Sequence, residues 1–352
     1  MSATIRPSGY YDTTYYHSLA IVYTPYQWVA WISFLIFLVL FPLLVGPYFL
    51  SIAIRIGITL IAVIGLNIVV GNTGLLNVGQ TAFMAVGAYC SAILMGKAGL
   101  NFFPALLGAG LAGAVVGLIF GAPSLRIKGF YVALATLAAH FIVIWALMEW
   151  FGGTTGHRAP RPKIFGFMLK SDISYYYLIF ILSLIGGLFA KNLFRSKVGR
   201  ALVAIRDNDI AAEILGIDIY RYKLISFAIG SFYAGIAGSL QGHFCGYTNI
   251  EAFPLSDSIW LLGMVIVGGM GDVLGSVLGV VSFVILEEIT GLLGPLLTNI
   301  FPSLAVMVQM QAALKWLIFA VVIILFVIFE PNGMAHRWNL IKASFRIFPF
   351  SD

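Results

Sequence analysis

SIAIRIGITLIAVIGLNIVV, residues 51–70, runs directly into GNTGLLNVGQTAF, residues 71–83. The first part holds a single charge, Arg55, in a run as long as the about 20 residues an α-helix needs to cross a bilayer. The second part breaks that helix with Gly71, Gly74 and Gly79 and with the polar side chains Asn72, Thr73, Asn77, Gln80 and Thr81. A membrane helix followed by a polar interruption is one motif; the rest of the chain extends it. Hydrophobic residues make up 61% of the 352 residues and charged ones 10%, against about 25% charge in an ordinary soluble domain. The 38 glycines suit close helix contacts in lipid. A transmembrane β-barrel would alternate polar and apolar residues over segments of roughly ten, and the unbroken apolar runs here exclude that. The fold class expected is all-α: a polytopic membrane protein with Gly-interrupted helices.

About 10 transmembrane helices are read, at roughly 28–47, 50–70, 81–97, 102–121, 130–151, 174–193, 224–243, 257–270, 272–290 and 312–330. The third, eighth and ninth are short or rich in glycine. The polar, tyrosine-rich segment 1–27 lacks the short basic start and small-residue cleavage site of a signal peptide, so it is expected to remain on the chain. Lys and Arg set the orientation. With both termini in the cytoplasm, Arg6, Arg126, Lys128, Arg337, Lys342 and Arg346 lie inside, with Lys191, Arg195, Lys197, Arg200, Arg206, Arg221 and Lys223. Only Lys97, Arg158, Arg161, Lys163 and Lys170 then lie outside, as the positive-inside rule requires. Arg55 and Lys315 sit near span ends, from which they snorkel outward. Trp145, Trp150, Trp260 and Trp316 form an outer aromatic belt, with Trp28 and Trp31 at the inner face. The transmembrane domain is thus 28–335, with a cytoplasmic loop at about 194–223, an outer loop at about 152–173 and a cytoplasmic tail, 336–352. The outer loop carries GGTTGHRAPRPK (152–163), basic yet outside, and its prolines and glycines forbid a long helix.

No catalytic constellation is present, and neither a metal nor another cofactor is expected. The five histidines are scattered, no H-E-x-x-H or P-loop occurs, and Cys90 and Cys245 read as small buried hydrophobes. Glu287 and Glu288 are adjacent on a helix and point about 100° apart, which argues against one shared site and for a solvated or helix-contact role. The formal net charge of +6 sits in loops flanking spans, where topology and anionic lipid explain it; no nucleic-acid partner is expected.

Polar residues inside the spans are better candidates, because an unpaired polar group in lipid is costly. Asn67, Asn72, Thr73, Asn77, Gln80 and Thr81 cluster around the first glycine segment, and Thr136 and His140 fall mid-span on ATLAAHFIV; these are the candidate translocation pathway. GGMGDVLGSVLG (268–279), with Gly268, Gly269, Gly271 and Gly275, is a second glycine-punctuated segment in the other half. Paired interruptions point to broken helices around a transport path, although glycine serves a tight helix crossing equally well.

RSKVGRALVAIRDNDIAAEILGIDIYRYK (195–223) holds ten charged residues between two apolar spans. ALVAI and IAAEILGI read as short helices split by RDND and ended by Gly216. A membrane-surface helix would favour Lys and Arg; Asp207, Asp209, Glu213 and Asp218 dilute that charge and favour a protein partner over lipid, with a solvated connector as the alternative.

This stretch resembles the cytoplasmic signature of the branched-chain amino-acid ABC permeases of the LivM type, R-S-x-x-G-R-A-L-x-A-I-R-x-(D/E)-x-x-A-A-E-x-L-G-I. Ser196, Gly199, Arg200, Ala201, Leu202, Ala204, Ile205 and Arg206 match it, as do Ala211, Ala212, Glu213, Leu215, Gly216 and Ile217. GNTGLLNVGQTAFMAVGAY is similar to the family's G-x-x-G-L-L-S-L-G-x-A-A-F-x-x-x-G-A-Y, and PSLRIKGFYVALATLA, VGGMGDVLGSVLG and FEPNGM follow in the expected order, covering roughly 50–335. The resemblance implies the ABC importer permease fold in the cytoplasmic (inner) membrane. It implies a second related permease, two cytoplasmic ATPase subunits that hydrolyse the ATP, and an extracytoplasmic substrate-binding protein. Residues 206–217 would be the coupling helix in an ATPase groove, with Arg206, Asp207, Asp209, Ala211, Ala212, Glu213, Leu215 and Gly216 as its coupling residues. The permease itself is then no enzyme. Two departures bear on the solute: the family often has His at Gln80 and Ser at Asn77, and its outer loop continues into a neutral run where this chain has HRAPRPK. Branched-chain or related small amino acids are the leading cargo. Urea or short-chain amides on the same architecture, and an ion-coupled secondary transporter needing no ATPase, stay open at this point.

Overall fold

A computed structural model describes residues 25–124, 131–151, 156–164, 167–168, 171–300 and 307–347. Arg6, Arg126, Lys128 and Lys170, four of the residues used to orient the chain, lie outside them. Each of the ten apolar runs falls on a helix: α1 (Pro25–Leu44), α2 (Pro47–Thr73), α3 (Gln80–Gly96), α4 (Phe102–Ser124), α5 (Tyr131–Trp150), α6 (Asp172–Arg195), α9 (Ile219–Cys245), α10 (Leu255–Gly268), α11 (Val273–Ile300) and α12 (Met307–Phe329). Between α6 and α9 lie α7 (Lys197–Asp207) and α8 (Asp209–Ile214), and α13 (Gly333–Ile347) follows α12. Among the described residues, seven helices are long and apolar enough to cross a membrane; Trp316–Phe329 and Gly333–Lys342 form a further pair bent by 47°.

The packing follows from an apolar solvent. Leu107, Leu111, Val115 and Ile119 recur every fourth residue on α4 and are all exposed, so one whole helix face turns outward to an apolar surrounding. Inside, α9 sits against α2, α3 and α4, with Gly230, Gly235 and Gly238 buried in it. With lipid as apolar as leucine, close backbone approach through small residues is what holds such helices together.

α3 covers the expected third span almost residue for residue, yet it does not cross the bundle from end to end. At its start Gln80 donates from Nε2 to the carbonyls of Ala62 and Gly230, at 3.2 and 3.4 Å, in the interiors of α2 and α9. Residues 74–79 therefore climb from the end of α2 back towards its middle. Ala62 stands ~16 Å from Thr73 along the helix, and six extended residues reach up to about 20 Å, so the segment suffices. Gly74, at φ 72°, makes the reversal: its N–H and that of Leu75 bond back to Val70 and Val69.

Two expectations about the end of the bundle that holds Trp260 and Cys245 are corrected. Trp260 is 9% exposed and stacks on Phe319 at 3.8 Å between ring centroids, so it belongs to the interior rather than to an aromatic belt. Cys245 is exposed, because α9 ends there and the chain turns at Gly246, and Cys90 is half-buried. The basic segment expected outside is tied down: His157 and Arg158 (β1) pair antiparallel with Thr248 and Tyr247 (β2), and His243 Nδ1 is 2.8 Å from the Pro160 carbonyl.

Candidate functional site

The broken helix is a satisfied one. An unwound backbone in lipid must find partners for its polar groups, and here the candidate pathway residues supply them. Val78 N–H donates to Thr136 Oγ1 at 3.0 Å, and Gly79 N–H to Asn77 Oδ1 at 3.0 Å. Asn77 Nδ2 donates to Gln80 Oε1 at 2.9 Å, which orients Gln80 towards Ala62 and Gly230. Thr81 N–H donates to Ser258 Oγ at 3.0 Å, its hydroxyl lies 2.6 Å from the same oxygen, and it donates to the Pro254 carbonyl at 3.2 Å. His140 Nδ1 is 3.5 Å from that hydroxyl. Asn77, Gln80, Thr81, Thr136 and His140 are therefore one buried cluster where α3 begins.

Asn67, Asn72 and Thr73 lie apart from them, near the end of α2. Asn67 is fully buried and holds α2 to the second glycine segment: its Oδ1 accepts from Gly271 N–H, and its Nδ2 donates to the Asp272 carbonyl and Ser276 Oγ, all at 2.8 Å. A Cβ on Gly71 would overlap Gly271 N, so the two glycine-punctuated segments touch backbone to backbone. Gly271 takes φ 84° and Gly269 φ 122° in the turn from α10 to α11, while Gly268 and Gly275 let those helices close on each other. Both readings of glycine apply: an unwound segment in the first half, a tight crossing in the second. Thr73 bonds to Ser226 Oγ at 2.6 Å, and Asn72, 2% exposed, has no partner for its Nδ2 among the described residues.

The charged loop reaches this junction. α7 buries Ala201, Leu202 and Ile205 and touches α2, α6 and α9. At its last turn Arg206 donates from Nη1 to the Gly71 carbonyl at 2.8 Å, and its Nη2 lies 3.0 Å from Asp207 Oδ1. The Gly71 carbonyl is one of the acceptors that a helix end leaves unpaired, at the negative end of its dipole, so the cation is well placed. Asn208 breaks the helix and caps α8, its Oδ1 accepting from Ala211 N–H at 3.0 Å. On α8 and its C-cap Leu215, Ala212 is buried, while Ile210, Ile214 and Leu215 are 63%, 82% and 78% exposed; Glu213 is exposed beside them. Gly216, at φ 82°, ends the helix as expected.

At the other end of α2 is a cavity of about 350 Å³. Thr81 alone of the candidate pathway residues borders it; the others are buried in packing. Its charged rim is Arg55, Asp257 and Glu287, which sequence reasoning did not join. Arg55 does not snorkel freely: it pairs with Glu288, lies 3.6 Å from Glu287, and shares Glu288 with the Tyr48 hydroxyl. Glu287 and Glu288 thus have the helix-contact role expected of them, holding α11 to α2, and one long guanidinium meets both despite their divergent directions. A lone charge in an apolar run was the available signal, since such a charge demands a partner. Among the described residues, no group of three or more His, Cys, Asp or Glu is placed to hold a metal ion.

Residues 48–328 match the protein family described as "Branched-chain amino acid transport system / permease component". The chain is 35% identical over 285 residues to the high-affinity branched-chain amino acid transport system permease protein LivM of Escherichia coli K12, covering 73% of this chain and 67% of that one. It is 28% identical over 234 residues to a probable branched-chain amino acid transport permease protein LivM of Methanocaldococcus jannaschii, covering 65% and 67%. A probable LivH of the same organism is 27% identical over 237 residues, covering 61% and 71%. No solved structure matches.

Proposed function

Because this chain belongs to the branched-chain amino acid transport permease family, we propose that it is the membrane-spanning subunit of an ATP-driven importer for branched-chain or related small amino acids. It works in the cytoplasmic (inner) membrane beside a second related permease, with both termini cytoplasmic. An extracytoplasmic binding protein delivers the solute, and two cytoplasmic ATPase subunits supply the energy. The observation that carries this reading is the apolar face of α8, where Ile210, Ile214 and Leu215 stand exposed on a helix flanked by charge. Burying such side chains gains about 1.5–3 kcal/mol each, which an ATPase groove would provide.

Transmission then follows a short physical route. Closure of the ATPases displaces α8 and with it Arg206. Arg206 holds the Gly71 carbonyl, Gly71 lies against Gly271, and Asn67 ties α2 to the α10–α11 turn. Moving this junction tilts α2 against α10 and α11, the helices whose far ends border the cavity. A ligand or nucleotide biases such a change only by binding the two arrangements differently. The candidate pathway cluster at the start of α3 is the pivot, because its hydrogen bonds join α2, α5, α9 and α10 to the unwound segment.

The test is uptake by the reconstituted transporter with its binding protein, offered labelled leucine, isoleucine and valine against urea and acetamide. Saturable uptake of the amino acids alone supports the reading; uptake of urea or acetamide alone overturns its substrate class.

A further inference from the structure

We infer that the cavity between α2, α3, α9, α10 and α11 is a transient binding site for one aliphatic amino-acid zwitterion, with Arg55 receiving the α-carboxylate and Asp257 and Glu287 the α-ammonium. The inference rests on the amino-acid importer reading above and deepens it. A volume of about 350 Å³ falls at the small end of ligand pockets, suited to a single small solute. Its charges are of both signs: Arg55 from α2, Asp257 from the first turn of α10 and Glu287 from α11. Between them stands an apolar wall that includes Met84, Leu261, Met264 and Val284. Opposite charges a few bonds apart on an apolar stem are the complement of that lining.

Arg55 is held but not exhausted. Glu288 accepts from its Nη2, and Glu287 at 3.6 Å from Nη1 is beyond hydrogen-bond reach. A guanidinium carries five N–H donors, so it can take a second carboxylate without releasing the first. Glu288, itself held by the Tyr48 hydroxyl, anchors Arg55 without bordering the cavity. Urea or acetamide, being neutral, would answer neither charge and leave the apolar wall unfilled.

Cys245 borders the cavity and provides a native reporter. In the full chain, assembled with its partner subunits in nanodiscs, Cys90→Ala leaves Cys245 as this chain's single thiol. Saturating leucine slows labelling of Cys245 by a thiol reagent about fivefold or more, while urea and acetamide do not. Asp257→Asn and Arg55→Gln each raise the half-protecting leucine concentration about tenfold or more. Met264→Trp, which fills the cavity without touching a charge, abolishes protection and serves if Arg55→Gln fails to insert. Protection by urea equal to that by leucine, or protection unchanged in the variants, overturns the assignment. Leucine uptake with no protection of Cys245 removes the cavity site and leaves the importer reading standing. Protection without uptake retains the site and removes the importer reading.

Discussion

Replacing Arg206 by alanine removes the one side-chain bond described here between the charged loop and the end of α2. Arg206 Nη1 donates to the Gly71 carbonyl at 2.8 Å, and Nε lies 3.1 Å from Asp207 Oδ1. A hydrogen bond from a charged group contributes about 1.5–3 kcal/mol. The Arg206 side chain is 36% exposed, so solvent screening reduces this to about 1–2 kcal/mol. That is a factor of roughly 5–30 in how firmly α7 and α8 bias the position of α2. In proteoliposomes, Arg206→Ala is expected to lower solute imported per ATP hydrolysed by that factor. ATPase activity and recovery of the whole complex stay near wild type, because the α8 face is intact. Arg206→Lys recovers only part of the coupling, since an ammonium lacks the planar fork that reaches Gly71 and Asp207 together. An unchanged ratio of uptake to hydrolysis in Arg206→Ala would refute the transmission route.

Ile214→Glu puts a charge on the most exposed apolar position of α8 and is expected to weaken ATPase docking about 10–100-fold, read as loss of co-purifying ATPase with normal insertion of the permease. Asn67→Ala leaves Gly271 N–H and Ser276 without their buried partner and is expected to cost about 2–3 kcal/mol, seen as a lower Tm of the detergent-purified chain. A reporter fused after Lys197 reads cytoplasmic and one after Arg161 extracytoplasmic; any other pattern breaks the orientation set by Lys and Arg.

Helix positions were legible because hydropathy is a local signal: each of the ten runs between residues 28 and 330 coincides with a helix. The depth at which α3 begins was not, since it depends on where Gln80 finds the carbonyls of Ala62 and Gly230, in helices distant in sequence. The two glycine segments stood out by composition, but their meeting at Gly71 and Gly271 is a tertiary contact that spacing does not carry. α8 was readable from the polar break at Asn208 and from Gly216, both of which have local backbone consequences. Trp260 misled because tryptophan is common both at interfaces and in cavity walls, and only its partner Phe319 decides which. The cavity rim was missed for a related reason. Arg55, Asp257 and Glu287 are far apart in sequence, and adjacent acids on a helix diverge in direction without limiting what a long arginine can reach.

The central claim is that an ATPase docked on α8 drives this permease. Its most direct test is labelled leucine uptake into proteoliposomes that hold the permease pair with both ATPase subunits, an ATP supply on the ATPase side and binding protein on the other, with no ion gradient imposed. The account predicts uptake that requires ATP and the ATPases and is lost with Ile214→Glu. Uptake by the permease pair alone, driven by an ion gradient and indifferent to ATP, would contradict it.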